Sequence, residues 1–266
     1  MWGHLALLPI FLALWAVAGT WTVFSLAVLN QTVNLTKRFP YISACGSDPP
    51  QSCLFSQVLN VGAAVAAWIF ILRYHQLRDW GVRRGFNLLI LWAGLLSAVG
   101  TSVVGNFQQK NLRPVHLTGS FFAFAVGTLY FWLQLLLLHL RKDLPRPGPP
   151  WLGLLRLLLC TACTILMVVM TVLHRWRWLR SASAGCEWTV AMLLFTLAGL
   201  LAFDFSLLDS CTLCLRTARR LGPPPPVSPS SLREQHSQET CLGCSPAGPE
   251  ETEANPTPGP TTGEAG

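Results

Sequence analysis

Three observations place this chain among all-α, polytopic membrane proteins, as a six-span helical bundle followed by a polar tail. Only 12% of its 266 residues are charged while 52% are hydrophobic, a balance with which a soluble domain does not stay dispersed. Six apolar stretches approach the roughly 20 residues that a helix needs to cross the hydrocarbon core. Charge is also split along the chain: residues 1–208 hold 15 Lys and Arg against 5 Asp and Glu, and residues 209–266 hold 4 against 7. The basic excess therefore lies in short connections beside the spans, where it meets anionic lipid head groups. Broken up by the spans, it makes no continuous face for nucleic acid, and membrane lipid is the expected partner.

The spans are expected at 5–29, 54–72, 86–104, 117–140, 151–173 and 188–208. The first contains Ala16-Val17-Ala18, a small-residue cleavage pattern. No Lys or Arg precedes it and the apolar run continues past Ala18, so it reads as a retained helix. Trp151, Trp176, Trp178 and Trp188 fall at span ends, where an amphipathic ring sits at the head-group level. Orientation follows from Lys and Arg in alternate connections. One side holds ten: Arg73, Arg78, Arg83, Arg84, Arg141, Lys142, Arg146, Arg216, Arg219 and Arg220. The other holds seven: Lys37, Arg38, Lys110, Arg113, Arg175, Arg177 and Arg180. This bias puts both termini in the cytosol.

Connection one is the long polar loop. It carries Cys45 and Cys53, separated by a Gly and a Pro-Pro step, and two glycosylation sequons headed by Asn30 and Asn34. Both features suit a lumenal or extracellular face, where a disulfide between the two cysteines would staple the loop. Their alternative is two free thiols in a flexible segment, and Cys186 stands as a competing partner. Asn30 directly follows the first span, so Asn34 has more clearance from the bilayer.

Ionisable groups inside spans are the default functional pointers in a membrane protein. Asp204, deep in the sixth span, and His139, ending the fourth, are placed to meet. Arg156 lies a few residues past Trp151 and is expected to snorkel to the interface. Cys160 and Cys163 read as small packing residues. Tyr74-His75-Gln76-Leu77 matches a tyrosine-based sorting pattern but begins almost at the bilayer surface, which favours anchoring.

From Asp209 onward the sequence is rich in Pro, Gly, Ser, Thr and Glu, too poor in apolar side chains to offset its ordering entropy, and is expected to be a disordered cytosolic tail. The run from Pro223 to Pro226 fits an SH3 or WW ligand or a spacer. Cys211 and Cys214 just beyond the sixth span, followed by Arg216, Arg219 and Arg220, form a setting for S-palmitoylation. A zinc site shared with Cys241 and Cys244 is the weaker reading, because the pairs are further apart than in common zinc modules. The sequence holds no glycine-rich phosphate loop, no serine nucleophile elbow and no HExxH motif. No catalytic residue, metal or cofactor is expected, and the sequence reads as non-enzymatic.

Several of these pieces, taken together, carry a family resemblance. Pro40-Tyr41-Ile42-Ser43, then Cys45-Gly46, then Pro49-Pro50, then Cys53-Leu54-Phe55 leading into Leu59-Asn60 and Gly62-Ala63 open the pattern. Val104-Gly105-Asn106-Phe107-Gln108, His116 and Cys186-Glu187-Trp188 continue it. The chain over roughly residues 1–208 resembles the damage-regulated autophagy modulator family, in particular its transmembrane-150 branch. The resemblance implies a six-span protein of the plasma membrane and of endosomal, lysosomal or autophagosomal membranes. It further implies a modulator of autophagy and cell survival, with membrane-protein or autophagy-machinery partners and no catalytic residues. The alternative is a transporter or channel for a small solute or lipid, with Asp204 and His139 as the residues to test.

Overall fold

A computed structural model describes residues 4–206, 208–211 and 244–246. After a 3-10 turn at His4–Ala6, helix α1 runs over Leu7–Leu29, a short α2 over Ile42–Cys45, and α3 over Gln51–Asp79. Helix α4 follows at Arg84–Asn106, α5 at Arg113–Phe121 and α6 at Gly127–Leu140, the last two joined through a π-helical turn at Phe122–Val126. Helices α7, Leu152–His174, and α8, Arg180–Phe205, complete the bundle. Leu208–Cys211 pairs antiparallel with Cys244–Pro246. Among the described residues, six helical stretches are long and apolar enough to cross a membrane: His4–Leu29, Gln51–Asp79, Arg84–Asn106, Arg113–Leu140, Leu152–His174 and Arg177–Phe205.

The spans agree with the hydropathy reading at their centres and depart from it at two polar ends. Helix α3 continues past Leu72 to Asp79 because Arg73, Gln76 and Leu77 are buried rather than solvated. Tyr74-His75-Gln76-Leu77 is therefore helical, with its last two residues inside the fold. The final span begins well before Trp188 because Ser183 and Ala184 also pack inward. Hydropathy windows reject polar residues, whereas a bundle accepts them once neighbours satisfy their hydrogen bonds.

Helices α3 and α4 form a close antiparallel hairpin, α1 packs against α3 and α8, and α7 packs against α8. Small residues set the tightest approach, as expected where lipid supplies no hydrophobic drive between helices. At Gly100, a Cβ would lie 2.7 Å from the Gly119 carbonyl oxygen and from the Ala123 nitrogen, so α4 meets the α5–α6 stretch backbone to backbone. Helix α7 buries only Leu152, Cys160 and Cys163. Leu154, Leu158, Ile165, Val168 and Val172 point outward, which gives α7 an apolar face for hydrocarbon. Cys160 and Cys163 are fully buried in the main core cluster, the packing role expected of them.

Candidate functional site: a capped end and a buried charge cluster

The odd-numbered connections share one end of the bundle, and connection one is laid across it as a cap. Its backbone is fastened to the far end of the sequence. Phe39 N–H donates to the Ser181 hydroxyl at 3.1 Å, Ile42 N–H to Glu187 Oε2 at 3.0 Å, and Trp188 Nε1–H to the Pro40 carbonyl at 3.0 Å. The Tyr41 hydroxyl and His174 Nδ1 share a hydrogen bond of 2.9 Å. Around Trp188 close the rings of Trp21, Phe24 and Phe39, with centroids 4.8, 5.4 and 6.1 Å away. Such aromatic contacts add about 0.5–1.5 kcal/mol each beyond area burial. Connection three joins through Ser43, whose hydroxyl donates to Gln109 Oε1 at 3.1 Å, and through the exposed Lys110–Asp48 pair at 2.8 Å.

The family-like motifs are the residues that build this end. Asn106 forms a polar ladder with Ser56, Asn60 and Ser102 that locks α3 to α4. Gly105 lets α4 approach α3 closely, since a Cβ there would sit 3.0 Å from that of Leu59. The Phe107 carbonyl accepts the Nδ1–H of buried His116 at 2.7 Å. Cys186 is half-buried beside Glu187 and Trp188, the two residues of its motif that hold the cap.

Cys45 and Cys53 are both free thiols in the structure, unlike the bonded pair that the loop's spacing favours. Cys45 is buried at the end of α2 and donates its thiol hydrogen to the Tyr41 carbonyl at 3.4 Å. Cys53 is exposed in the first turn of α3. The two sequons also differ. Asn30 caps the end of α1 and donates its amide hydrogen to Gln51 Oε1 at 3.1 Å. Among the described residues, the amide nitrogen of exposed Asn34 makes no such bond, and its Oδ1 accepts from the backbone and hydroxyl of Thr36, at 3.0 and 2.6 Å.

The opposite end holds a buried cluster centred on Asp204, and here the sequence-based pairing fails. His139 is exposed at the end of α6, and the ion pairs of Asp204 are with Arg73 at 3.1 Å and with Arg156. Arg73 is not a loop residue and Arg156 does not snorkel; both point inward. Arg73 also donates to Gln76 Oε1 at 2.6 Å and to Gln134 Oε1 at 3.2 and 3.3 Å, with its guanidinium 5.3 Å from the Trp80 ring centroid. Gln76 donates on to the Asp204 carbonyl at 2.7 Å, and Gln134 to the Tyr130 hydroxyl at 3.1 Å. Arg156 donates to the Leu200 carbonyl at 2.7 Å. Two guanidiniums face one carboxylate, so neutral oxygens and a ring face disperse the excess positive charge. The signal missed in the sequence was the Arg73–Gln76 spacing, which puts both side chains on one helical face.

Of Cys211 only the backbone is described, and Cys214 and Pro223 to Pro226 lie outside the described residues.

A six-helix membrane protein with one end capped by its first connection, and an ion cluster tying α3, α7 and α8 at the other, is the class these features define. Residues 4–208 match the Frag1/DRAM/Sfk1/Cwh43P N-terminal domain, and the chain belongs to that family. It is 67% identical over 235 residues to the Bos taurus "Modulator of macroautophagy TMEM150B", covering 88% of this chain and 100% of the bovine protein. It is 66% identical to the Homo sapiens protein of that name, with the same coverage. "Transmembrane protein 150A" of Mus musculus is 30% identical over 90% of this chain and 96% of its own length. No solved structure matches the chain.

Proposed function

We propose that this protein modulates macroautophagy as a non-enzymatic membrane protein, acting on autophagosome turnover and cell survival through its capped end and its lipid-facing helices. The observation that carries the reading is the likeness along their whole length to proteins named modulators of macroautophagy. The reading places it in the plasma membrane and in endosomal, lysosomal and autophagosomal membranes. Both termini are cytosolic, and its partners are lipids and proteins of the autophagy machinery. A glycan on connection one belongs to the same reading. So do palmitoylation at Cys211 and Cys214 and an SH3 or WW contact at the proline run. The transporter alternative loses its proposed pair, because Asp204 is held by two arginines rather than by His139.

The test is autophagosome turnover in cells lacking the protein, with and without a lysosomal inhibitor. Rescue is by wild type, by Trp188→Ala, which loosens the cap, or by Asp204→Asn. Altered flux restored by wild type and not by a correctly localised Trp188→Ala is expected. Unchanged flux in the deleted cells would sink the reading. Solute uptake by reconstituted protein, abolished in Asp204→Asn, would replace it with the transporter.

A further inference from the structure

Beneath the cap lies an interior chamber. Its inner compartment, about 170 Å³, is walled almost wholly by apolar side chains of α1, α3, α4, α6 and α8, among them Leu12, Phe55, Ala63, Ala98 and Ala191. An apolar protein cavity of about 150 Å³ already suffices to hold a ligand the size of benzene. The outer compartment, about 210 Å³, opens between the cap and α7. Ser43, His116, Ser120, Phe124 and Glu187 line both compartments, so the two adjoin at this polar wall. The inner wall runs from Glu187 to Ala198 along α8, roughly 16 Å at 1.5 Å per residue. That is about half of a hydrocarbon core roughly 30 Å thick. The π turn at Phe122–Val126 puts Ala123 and Phe124 on this wall, as such turns often do at functional sites.

The polar junction between the compartments is rich in acceptors. Glu187 is the one acidic or basic side chain, histidine aside, lining either compartment. Oε2 takes the Ile42 N–H, and among the described residues no Lys, Arg or His nitrogen pairs with the carboxylate. His116 donates from Nδ1 to the Phe107 carbonyl, which leaves Nε2 of the neutral ring as an acceptor. The Ser43 hydroxyl is committed to Gln109, and the Tyr41 hydroxyl to His174. A guest head group that donates hydrogen bonds is matched here, and a carboxylate head group, which only accepts, is not.

We propose that this chamber binds a single-chain amphiphile whose head is a hydroxyl or primary amine, with the chain in the apolar compartment and the head at Glu187 and His116. The assignment stands on the chamber alone and goes beyond the reading given for autophagy.

The experiment uses the full chain in phosphatidylcholine nanodiscs and a hexadecylamine probe carrying a photoreactive diazirine in its chain. Unlabelled hexadecylamine, hexadecan-1-ol and hexadecanoate serve as competitors, and adducts are mapped by mass spectrometry. Saturable adducts on the chamber wall are expected, displaced by the amine and the alcohol and about tenfold less well by the carboxylate. Glu187→Gln is expected to weaken amine competition about tenfold while leaving the alcohol within about twofold, since the amide oxygen still accepts. Ala63→Phe fills the chamber and should remove saturable labelling at unchanged melting temperature. If that variant does not fold, Glu187→Gln and the competitor order still decide. Adducts confined to lipid-facing positions such as Ile165 and Val168, or equal competition by hexadecanoate, overturn the proposal.

Discussion

The thiols of Cys45 and Cys53 share a loop and differ in chemistry. Burial, followed by the nearby Glu187 charge, pushes the Cys45 thiol up to about 12. At pH 8 roughly one molecule in ten thousand then carries the reactive thiolate. In the folded protein iodoacetamide is expected to label Cys53 and leave Cys45 untouched until the chain is unfolded. Peptide mass spectrometry after alkylation at pH 8 checks this. If neither cysteine labels until a reductant is added, the two are bonded as the loop spacing favours. The sequons give a second test at this scale. Among the described residues, Asn34 offers a free amide nitrogen on an exposed turn, whereas the amide of Asn30 is engaged with Gln51. Asn34→Gln should abolish a glycosidase-sensitive gel shift that Asn30→Gln preserves; the opposite pattern would show that clearance from the bilayer does not set site choice.

At the scale of elements, the Asp204 cluster ties α3, α7 and α8 together near one end of the bundle. Removing the single carboxylate leaves two guanidiniums buried with no counter-charge, at a cost of about 3–5 kcal/mol. Removing one arginine leaves a neutral pair, so the penalties should be unequal. Asp204→Asn is expected to lower the melting temperature in detergent well below that of Arg156→Leu. The double variant should recover part of the loss, because one unpaired cation is gone. A loss in the double variant equal to the sum of the two single losses would mean that Arg156 is not coupled to the carboxylate. This cluster also marks how far the sequence could be read. Spans were legible because apolar runs of the required length have few other fates. The partners of Asp204 were not, because Arg73 and Arg156 sit near span ends, where composition alone treats an arginine as interfacial. Only the packing of α3 and α7 against α8 turns them inward. Glu187 was legible as part of a motif, while its partner, the amide of Ile42, carries no side-chain signal at all.

For the whole molecule, burial alters the charge argument for orientation. Arg73 belongs to the cluster and is 1% exposed, so the ten basic residues of that side become nine against seven. The capped end remains the expected non-cytosolic face. A membrane-impermeant maleimide applied to intact cells should label Cys53 at the plasma membrane and leave position 143 of a Cys53→Ser, Asp143→Cys double variant, at the opposite end, unlabelled. Reversed labelling would invert the topology and remove the glycan from connection one.

The cap also has a consequence in time. Its anchors on α8 lie 142 to 148 residues further along the chain. At a synthesis rate of about 5–20 residues per second, roughly 7–30 s separate the emergence of connection one from that of its partners. Throughout that interval the segment has been made but has nothing to dock on. Any chemistry that acts on this segment before docking therefore meets an open peptide, and the arrival of the last helix closes that opportunity.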